Sequence, residues 1–299
     1  MILILGANGY VGSAFKKLLK SSNRAFKGFS RAEIDYTQLE TLKEILEETK
    51  PEFLINAAGY TGKPNVDACE TNKADCLNGN ALLPGTIKKA CETFDISWGH
   101  VSSGCIYTGD RDGGGGFTEE CTPNFSFRTN NCSFYSGTKA LGEELLVDAQ
   151  KCYIWRLRIP FNHESSPRNY LNKLITYKSL LEAENSISHL EEFVAACLSC
   201  FEKEVPFGTY NLTNPGYITT REVTQLMIQE GKRRESKGQK NPFPKDFNFF
   251  EDEHDFMKKA ANTPRSNCIM NTSKMEKAGI FMNPVQVALE NSLKNWKSS

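Results

Sequence analysis

Tyr135 and Lys139, in the stretch Tyr-Ser-Gly-Thr-Lys, are the residues best suited to acid–base chemistry in this sequence. Residues four apart on a helix share one face. A phenol titrates near ~10 and exchanges protons poorly at neutral pH until a nearby cation stabilises the phenolate. Lys139 supplies that charge, and Ser103 ends a strand expected upstream at 97–103. Together the three suit the reduction of a ketone: Ser103 holds the carbonyl oxygen, Tyr135 gives it a proton, and hydride reaches the carbon. Cys105 lies two positions beyond Ser103. Alternate residues of an extended chain point the same way, which aims this thiol into the same pocket. A thiol with a pKa near ~8.5 can exchange protons at a carbon acidified by an adjacent ketone. The alternative is that Cys105 is a small buried hydrophobe.

Hydride chemistry needs a dinucleotide, and the first residues provide for one. Gly6-Ala-Asn-Gly-Tyr-Val-Gly12 follows the apolar Ile2–Leu5 and opens a helical stretch. Glycines here allow a tight turn, a close backbone approach to a pyrophosphate, and close packing of helix on strand. Gly6, Asn8, Gly9, Tyr10, Val11 and Gly12 are therefore the phosphate-loop candidates. The next strand ends in Phe29-Ser30-Arg31, where the adenosine ribose should lie. Ser30 and Arg31 suit a 2′-phosphate and predict NADP(H), with NAD(H) the alternative. Asp35 is the competing ribose or adenine contact. Ala57, Ala58 and Gly59 leave room for the cofactor, and Tyr135 and Lys139 would meet its nicotinamide ribose.

Positioning these groups requires alternating strands and helices. Strands are expected at 2–5, 25–29, 53–56, 97–103 and 153–157, and helices at 12–20, 39–49, 81–94 and 135–148. The pattern predicts an α/β, Rossmann-like doubly wound parallel sheet over residues 1–160. Pro160 ends the alternation. Residues 161–299 are expected to form mainly a smaller, substrate-binding lobe, with one strand near 208–213 returning to the sheet. Segments 111–116, 125–132, 232–245 and 251–254 read as loops or solvated excursions.

Composition narrows the class. Thirty-six basic and 36 acidic residues balance, which argues against a nucleic-acid binder. The 39% hydrophobic content can fill a substantial core in 299 residues. The ten cysteines are scattered, and only Cys197 and Cys200 have C-x-x-C spacing. With no second pair, buried free thiols are expected rather than a metal site. The opening residues form no leader and no apolar run spans a membrane, so a cytoplasmic protein is expected.

Several longer stretches resemble one family. These are Asn56–Glu70, Gly104–Tyr107, Thr122–Phe125, Ser133–Glu144, Pro167–Tyr170, Tyr210–Gly216 and Pro264–Asn267. They are similar to the nucleotide-sugar branch of the extended short-chain dehydrogenase/reductases. Within it they most resemble the bifunctional UDP-4-keto-6-deoxy-D-glucose 3,5-epimerase/4-reductases that complete UDP-L-rhamnose synthesis. The resemblance implies a reductase triad of Ser103, Tyr135 and Lys139, an epimerase cysteine at Cys105 and its acid–base partner at Lys173. It also implies a diphosphate-binding Arg265, with Asn65 and Asn169 lining the sugar pocket. The substrate would be a UDP-sugar, dTDP being the competing nucleotide. A homodimer would form through helices near Ala81–Phe94 and Tyr135–Asp148. Alternatives are a reductase without epimerase activity, a GDP-fucose-synthase-like enzyme, and a non-catalytic dinucleotide-binding regulatory subunit. The chain departs from the family pattern at Gly113–Gly116, at Arg128–Asn130, at Gly137 in place of a lysine, and over Gly231–Asp255.

Overall fold

The computed structural model describes residues 1–63 and 65–297; Pro64, inside the Asn56–Glu70 stretch, and the last two residues lie outside it. The first half alternates β1 (Ile2–Leu5), α1 (Tyr10–Ser21), β2 (Phe26–Phe29), α2 (Leu39–Thr49), β3 (Phe53–Asn56), α3 (Lys73–Leu77), α4 (Leu83–Thr93), β4 (Ser97–Ser103), α5 (Phe134–Glu144) and β5 (Cys152–Leu157). The second half holds β6 (Pro160–Phe161), α6 (Tyr170–Thr176), β7 (Glu184–Asn185), β8 (Ser188–His189), α7 (Leu190–Glu202) and β9 (Gly208–Asn211). It ends with β10 (Ile218–Thr219), α8 (Thr220–Ser236), α9 (Glu253–Lys259), α10 (Ser273–Lys277) and α11 (Val285–Lys294).

Six strands form one parallel sheet in the order β2-β1-β3-β4-β5-β9. The expected α/β doubly wound architecture is present. Its inner strands β1 and β3 are apolar along nearly their whole length because both faces are covered. In β1, Ile2 and Ile4 join one core with Phe15 of α1 and Phe193 and Val194 of α7. Leu3 and Leu5 join the opposite core with Leu42 of α2 and Ile87 of α4. The chain winds outward in opposite directions from β1 and β3, so the crevice at their carboxyl ends is where a doubly wound sheet binds its ligand.

The second half returns more than a strand. Helix α7 packs its apolar face on the sheet before β9 pairs with β5, so residues 190–211 belong to the sheet layers. Cys197 and Cys200 lie three apart on that helix and are fully buried in the core, which explains their spacing without a metal. The lobe has its own core, including Phe161, Leu171, Met227, Leu289 and Trp296. Two other expectations need correction. Helix α8 continues through Lys232 to Ser236, held by Glu230 pairing with Arg233 and Arg234 at 2.6 and 2.9 Å, and α9 begins within the acidic 251–254 segment. Helix α5 stops at Glu144, where Leu146 and Val147 bond back three residues instead of four. Among the described residues no helix is long and apolar enough to cross a membrane.

Gly99 shows how closely the sheet and its covering side chains fit. A Cβ at this position would lie 2.0 Å from the ring of Trp155, which is fully buried and stacked on Tyr153. Gly99→Ala is therefore expected to destabilise the fold by about 1–3 kcal/mol through overpacking. Calorimetry should show this as a Tm lower by several degrees.

Candidate active site

The phosphate loop is shaped by contacts that only glycine permits. Gly6 has a φ of +76° and its Cα lies so close to Ala58 that a Cβ would meet that backbone at 2.6 Å. A Cβ on Gly12 would lie 2.2 Å from the Gly6 carbonyl oxygen. Gly9 is the N-cap of α1 and no side chain caps that helix, so its first N–H groups face outward toward any anion placed there. Ala57 donates its N–H to the Leu5 carbonyl, and Ala58 donates to the side chain of Asn56, which keeps β3's small residues against the loop. These residues fit a dinucleotide's pyrophosphate. Around them, Asn8 accepts a 2.8 Å bond from Lys16, and Val11 packs into the core. Tyr10 points toward the lobe, where its hydroxyl donates to Asn162 at 3.4 Å.

At the end of β2, Ser30 does not stand free. Its N–H and its hydroxyl both donate to one oxygen of Glu33, at 2.7 and 2.6 Å. Arg31 is exposed, and Asp35 is engaged by the N–H and hydroxyl of Thr37.

The reductase candidates converge. Ser133 caps α5 by accepting the N–H of Ser136, which fixes the helix start and the direction of Tyr135. The Tyr135 phenol lies near the Ser103 hydroxyl, and burial, followed by the nearby Cys105, raises that phenol well above its ordinary pKa. Tyr135 therefore starts protonated, ready to give a proton. Lys139 is buried and donates to the Val101 carbonyl at 3.1 Å. Burial lowers its pKa, with Cys105 and Glu143 opposing. Its charge is one of the influences that hold the Cys105 thiol's pKa down against burial.

Cys105 lies in the site by a different route from the expected one. The chain is not extended there: Gly104–Ile106 is a turn of 3₁₀ helix, and Ser103 caps it by accepting the Cys105 N–H at 3.2 Å. The turn brings the thiol back onto Ser103 and Ser136. Burial raises its pKa, while those two hydroxyls and the charges of Arg158 and Lys139 oppose the rise.

Lys173, Arg168 and Arg265 form a second group. Burial lowers the Lys173 pKa, and the two guanidiniums lower it further. Arg265 grips Asp67 with both terminal nitrogens at 2.7 and 2.9 Å, above the Phe256 ring at 5.6 Å. Arg168 donates to the Gly62 carbonyl at 2.9 Å. The loop 62–67 is thus tied to the lobe at two points. Asn65 caps the short 3₁₀ helix within it. Asn169 departs from its expected role. It is fully buried, caps α6 by accepting the Leu171 N–H, and donates to Asn162 and the Glu164 carbonyl, so it sets the helix that carries Lys173 and lines no pocket.

Sequence reasoning passed over Arg168, Glu33 and a buried set behind α5. In that set Asn80 bonds both backbone groups of Tyr60 at 2.8 Å and reaches Thr138 and Cys76. It also did not foresee why Gly137 replaces a lysine. A Cβ there would lie 2.2 Å from the Phe127 ring, so the Phe127 side chain packs where any larger residue at 137 would need room.

The sequence profile of the RmlD substrate binding domain matches residues 1–298. The chain belongs to this family. Among its relatives, a trifunctional UDP-glucose 4,6-dehydratase/UDP-4-keto-6-deoxy-D-glucose 3,5-epimerase/UDP-4-keto-L-rhamnose-reductase of Arabidopsis thaliana is 31% identical over 92% of the chain, which spans 39% of that larger protein. A bifunctional dTDP-4-dehydrorhamnose 3,5-epimerase/dTDP-4-dehydrorhamnose reductase of the same plant is 31% identical over 75% of the chain and 73% of its own length. Solved RmlD-like folds include a UDP-rhamnose synthase of Acanthamoeba polyphaga mimivirus, with a TM-score of 0.87 at 21% identity over 98% of both chains. A dTDP-4-dehydrorhamnose reductase of Bacillus anthracis, solved with NADP, has a TM-score of 0.78 at 18% identity, covering 99% of this chain and 97% of its own.

The electrostatics of this RmlD-family chain give a testable consequence at Lys173. Burial and two nearby cations disfavour its ammonium form, so at a given pH more of it is free amine than of an ordinary lysine. Peptide-resolved acylation near pH 8 should label Lys173 faster than exposed lysines once access is corrected for with the unfolded chain. Arg168→Gln removes one cation, raises the Lys173 pKa, and should slow that labelling several-fold.

Proposed function

We propose that this chain epimerises a UDP-4-keto-6-deoxy-D-glucose at carbons 3 and 5 and reduces the 4-ketone to give UDP-L-rhamnose. The observation that carries this reading is the placement of one hydroxyl, that of Ser103, between the Tyr135 phenol and the Cys105 thiol. A reductase needs only the phenol. A thiol on the same serine supplies a second proton carrier beside the same carbonyl. The plant relatives' combined names support pairing the two activities in one chain.

In this mechanism Ser103 and Tyr135 hold the sugar's 4-oxygen, which acidifies the hydrogens at carbons 3 and 5. Cys105 and Lys173 act as the proton-carrying pair. One removes the proton next to the ketone, leaving an enediolate whose charge is held at the 4-oxygen, and the other returns a proton to the opposite face. Lys173 suits the accepting role because its surroundings favour the neutral amine. Arg265, with Arg168 beside it, would take the diphosphate, for which a planar guanidinium fork is suited. Asn65 would help shape the sugar end of the pocket through the loop that it caps. Bound NAD(P)H, of which NADPH is the form that Ser30 and Arg31 favour, supplies the hydride for the final step. Tyr135 then gives its proton to the 4-oxygen, and Lys139, within reach of Cys105 and Val101, holds the local positive charge. The half-exposed Leu82 just before α4, and Leu145 and the open Val147 just after α5, support a homodimer on that side of the sheet.

A 4-keto-reductase without epimerase activity is the second reading, favoured by the burial that pushes the Cys105 thiol up. Proton NMR of the protein with UDP-4-keto-6-deoxy-glucose in deuterated water separates the two. Deuterium should enter at carbons 3 and 5 before any reductant is added, and UDP-L-rhamnose should appear with NADPH. Reduction with no deuterium at either carbon would leave only the reductase. Tyr135→Phe should lower the reduction rate by about 10²–10⁴-fold, the usual contribution of a positioned general acid.

A further inference from the structure

We propose that Glu33 sets the cofactor preference, by occupying with its carboxylate the two donors that a 2′-phosphate would use. The inference rests on the reading of the chain as an NAD(P)H-dependent reductase. The end of β2 adjoins the phosphate loop, since Gly6 and Ala7 both donate their N–H to the Phe29 carbonyl. The next residue, Ser30, is therefore placed at the adenosine-ribose end of a dinucleotide bound at that loop. Both donors of Ser30 converge on one Glu33 oxygen, at 2.7 Å from the N–H and 2.6 Å from the hydroxyl. An N–H and a hydroxyl aimed at a single anionic oxygen are the contacts that a phosphate oxygen would take.

A turn cap is the simpler account of Glu33, because Ser-x-x-Glu is the pattern in which a glutamate reaches back to the first N–H of a helix. The geometry is only half of that motif. The Glu33 N–H goes to the Ser30 carbonyl, at 3.1 Å, and the Ser30 hydroxyl is turned to donate to the carboxylate. Ser30's hydroxyl is thereby oriented as a donor to an anion instead of as a cap for the backbone.

The two cofactors then meet this corner differently. With NADH, Glu33 stays in place and its second oxygen can accept the ribose 2′-hydroxyl, as an acid at this position does in NAD-binding sheets. With NADPH, the carboxylate must leave Ser30 and would remain a like charge beside the phosphate. Glu33 is exposed and free to swing into solvent, so the exchange is feasible, and Arg31, also exposed, is left to face the phosphate. The corner accepts both cofactors, with Glu33 weighting it toward NADH and Ser30 and Arg31 toward NADPH.

The test is the ratio of kcat/KM for NADPH to that for NADH, measured with one 4-keto sugar nucleotide. Glu33→Gln keeps an acceptor for the Ser30 N–H and removes the charge. Its ratio should rise about tenfold, the effect of removing one close like-charge contact, with an unchanged Tm. Arg31→Ala should move the ratio the other way. An unchanged ratio in Glu33→Gln and in Glu33→Ala, with a lower Tm in the latter, would reduce Glu33 to a turn cap and overturn the proposal. Failure of the reductase reading would show separately, as absence of turnover with either cofactor in the unsubstituted protein.

Discussion

The geometry of the catalytic centre depends on one short turn. At the end of β4, Ser103 accepts the N–H of Cys105 and bends the chain out of the sheet into a single 3₁₀ turn. Had the strand simply continued, serine and cysteine would have shared a face some seven ångströms apart at the rise of about 3.3 Å per residue. The turn brings the thiol back toward the Ser103 hydroxyl, and the Tyr135 phenol approaches the same hydroxyl from α5. Packing holds this turn rigidly. A Cβ on Gly104 would lie 2.2 Å from the Met270 sulfur, and Cys268 donates to the Gly104 carbonyl.

The rest of the molecule braces or complements that turn. The small cluster around it joins Ile106, Tyr107 and Phe117 to Cys268 and Met270, so the chain's C-terminal third contributes to the floor of a site set by the N-terminal half. On the other side, the loop after β3 is held by Arg168 and Arg265 from the lobe, one through the Gly62 carbonyl and one through Asp67. These two cations also depress the Lys173 pKa. One pair of guanidiniums therefore anchors the loop and shifts a neighbouring lysine toward its neutral form.

Much of the fold was legible because a parallel sheet covered on both faces leaves nearly continuous apolar runs, and β1 and β3 are such runs. Helix α7 was not read, since its cysteines drew attention as thiols when their spacing of three marked a helix face in the core. The four-residue spacing that puts Tyr135 and Lys139 on one helix was legible. Cys105 was placed from an extended chain, which the structure replaces with a 3₁₀ turn. Asn169 was misread even though an asparagine just before a helix is a common cap. Arg168 gave no local signal at all, because its partner at Gly62 lies about a hundred residues earlier in the chain. Glu33 did carry a signal, the Ser-x-x-Glu pattern, which states a local turn and says nothing of a cofactor.

The central claim is that Cys105 and Tyr135 share Ser103 yet carry separate proton transfers. The most direct measurement supplies Cys105→Ala with NADPH and, in parallel, UDP-4-keto-6-deoxy-glucose or the already epimerised UDP-4-keto-L-rhamnose. The account predicts that the variant fails on the first and reduces the second at close to the unsubstituted rate. Equal loss on both substrates in a variant of unchanged Tm would contradict it, and would make the thiol a packing element of the reductase site instead of an acid–base group.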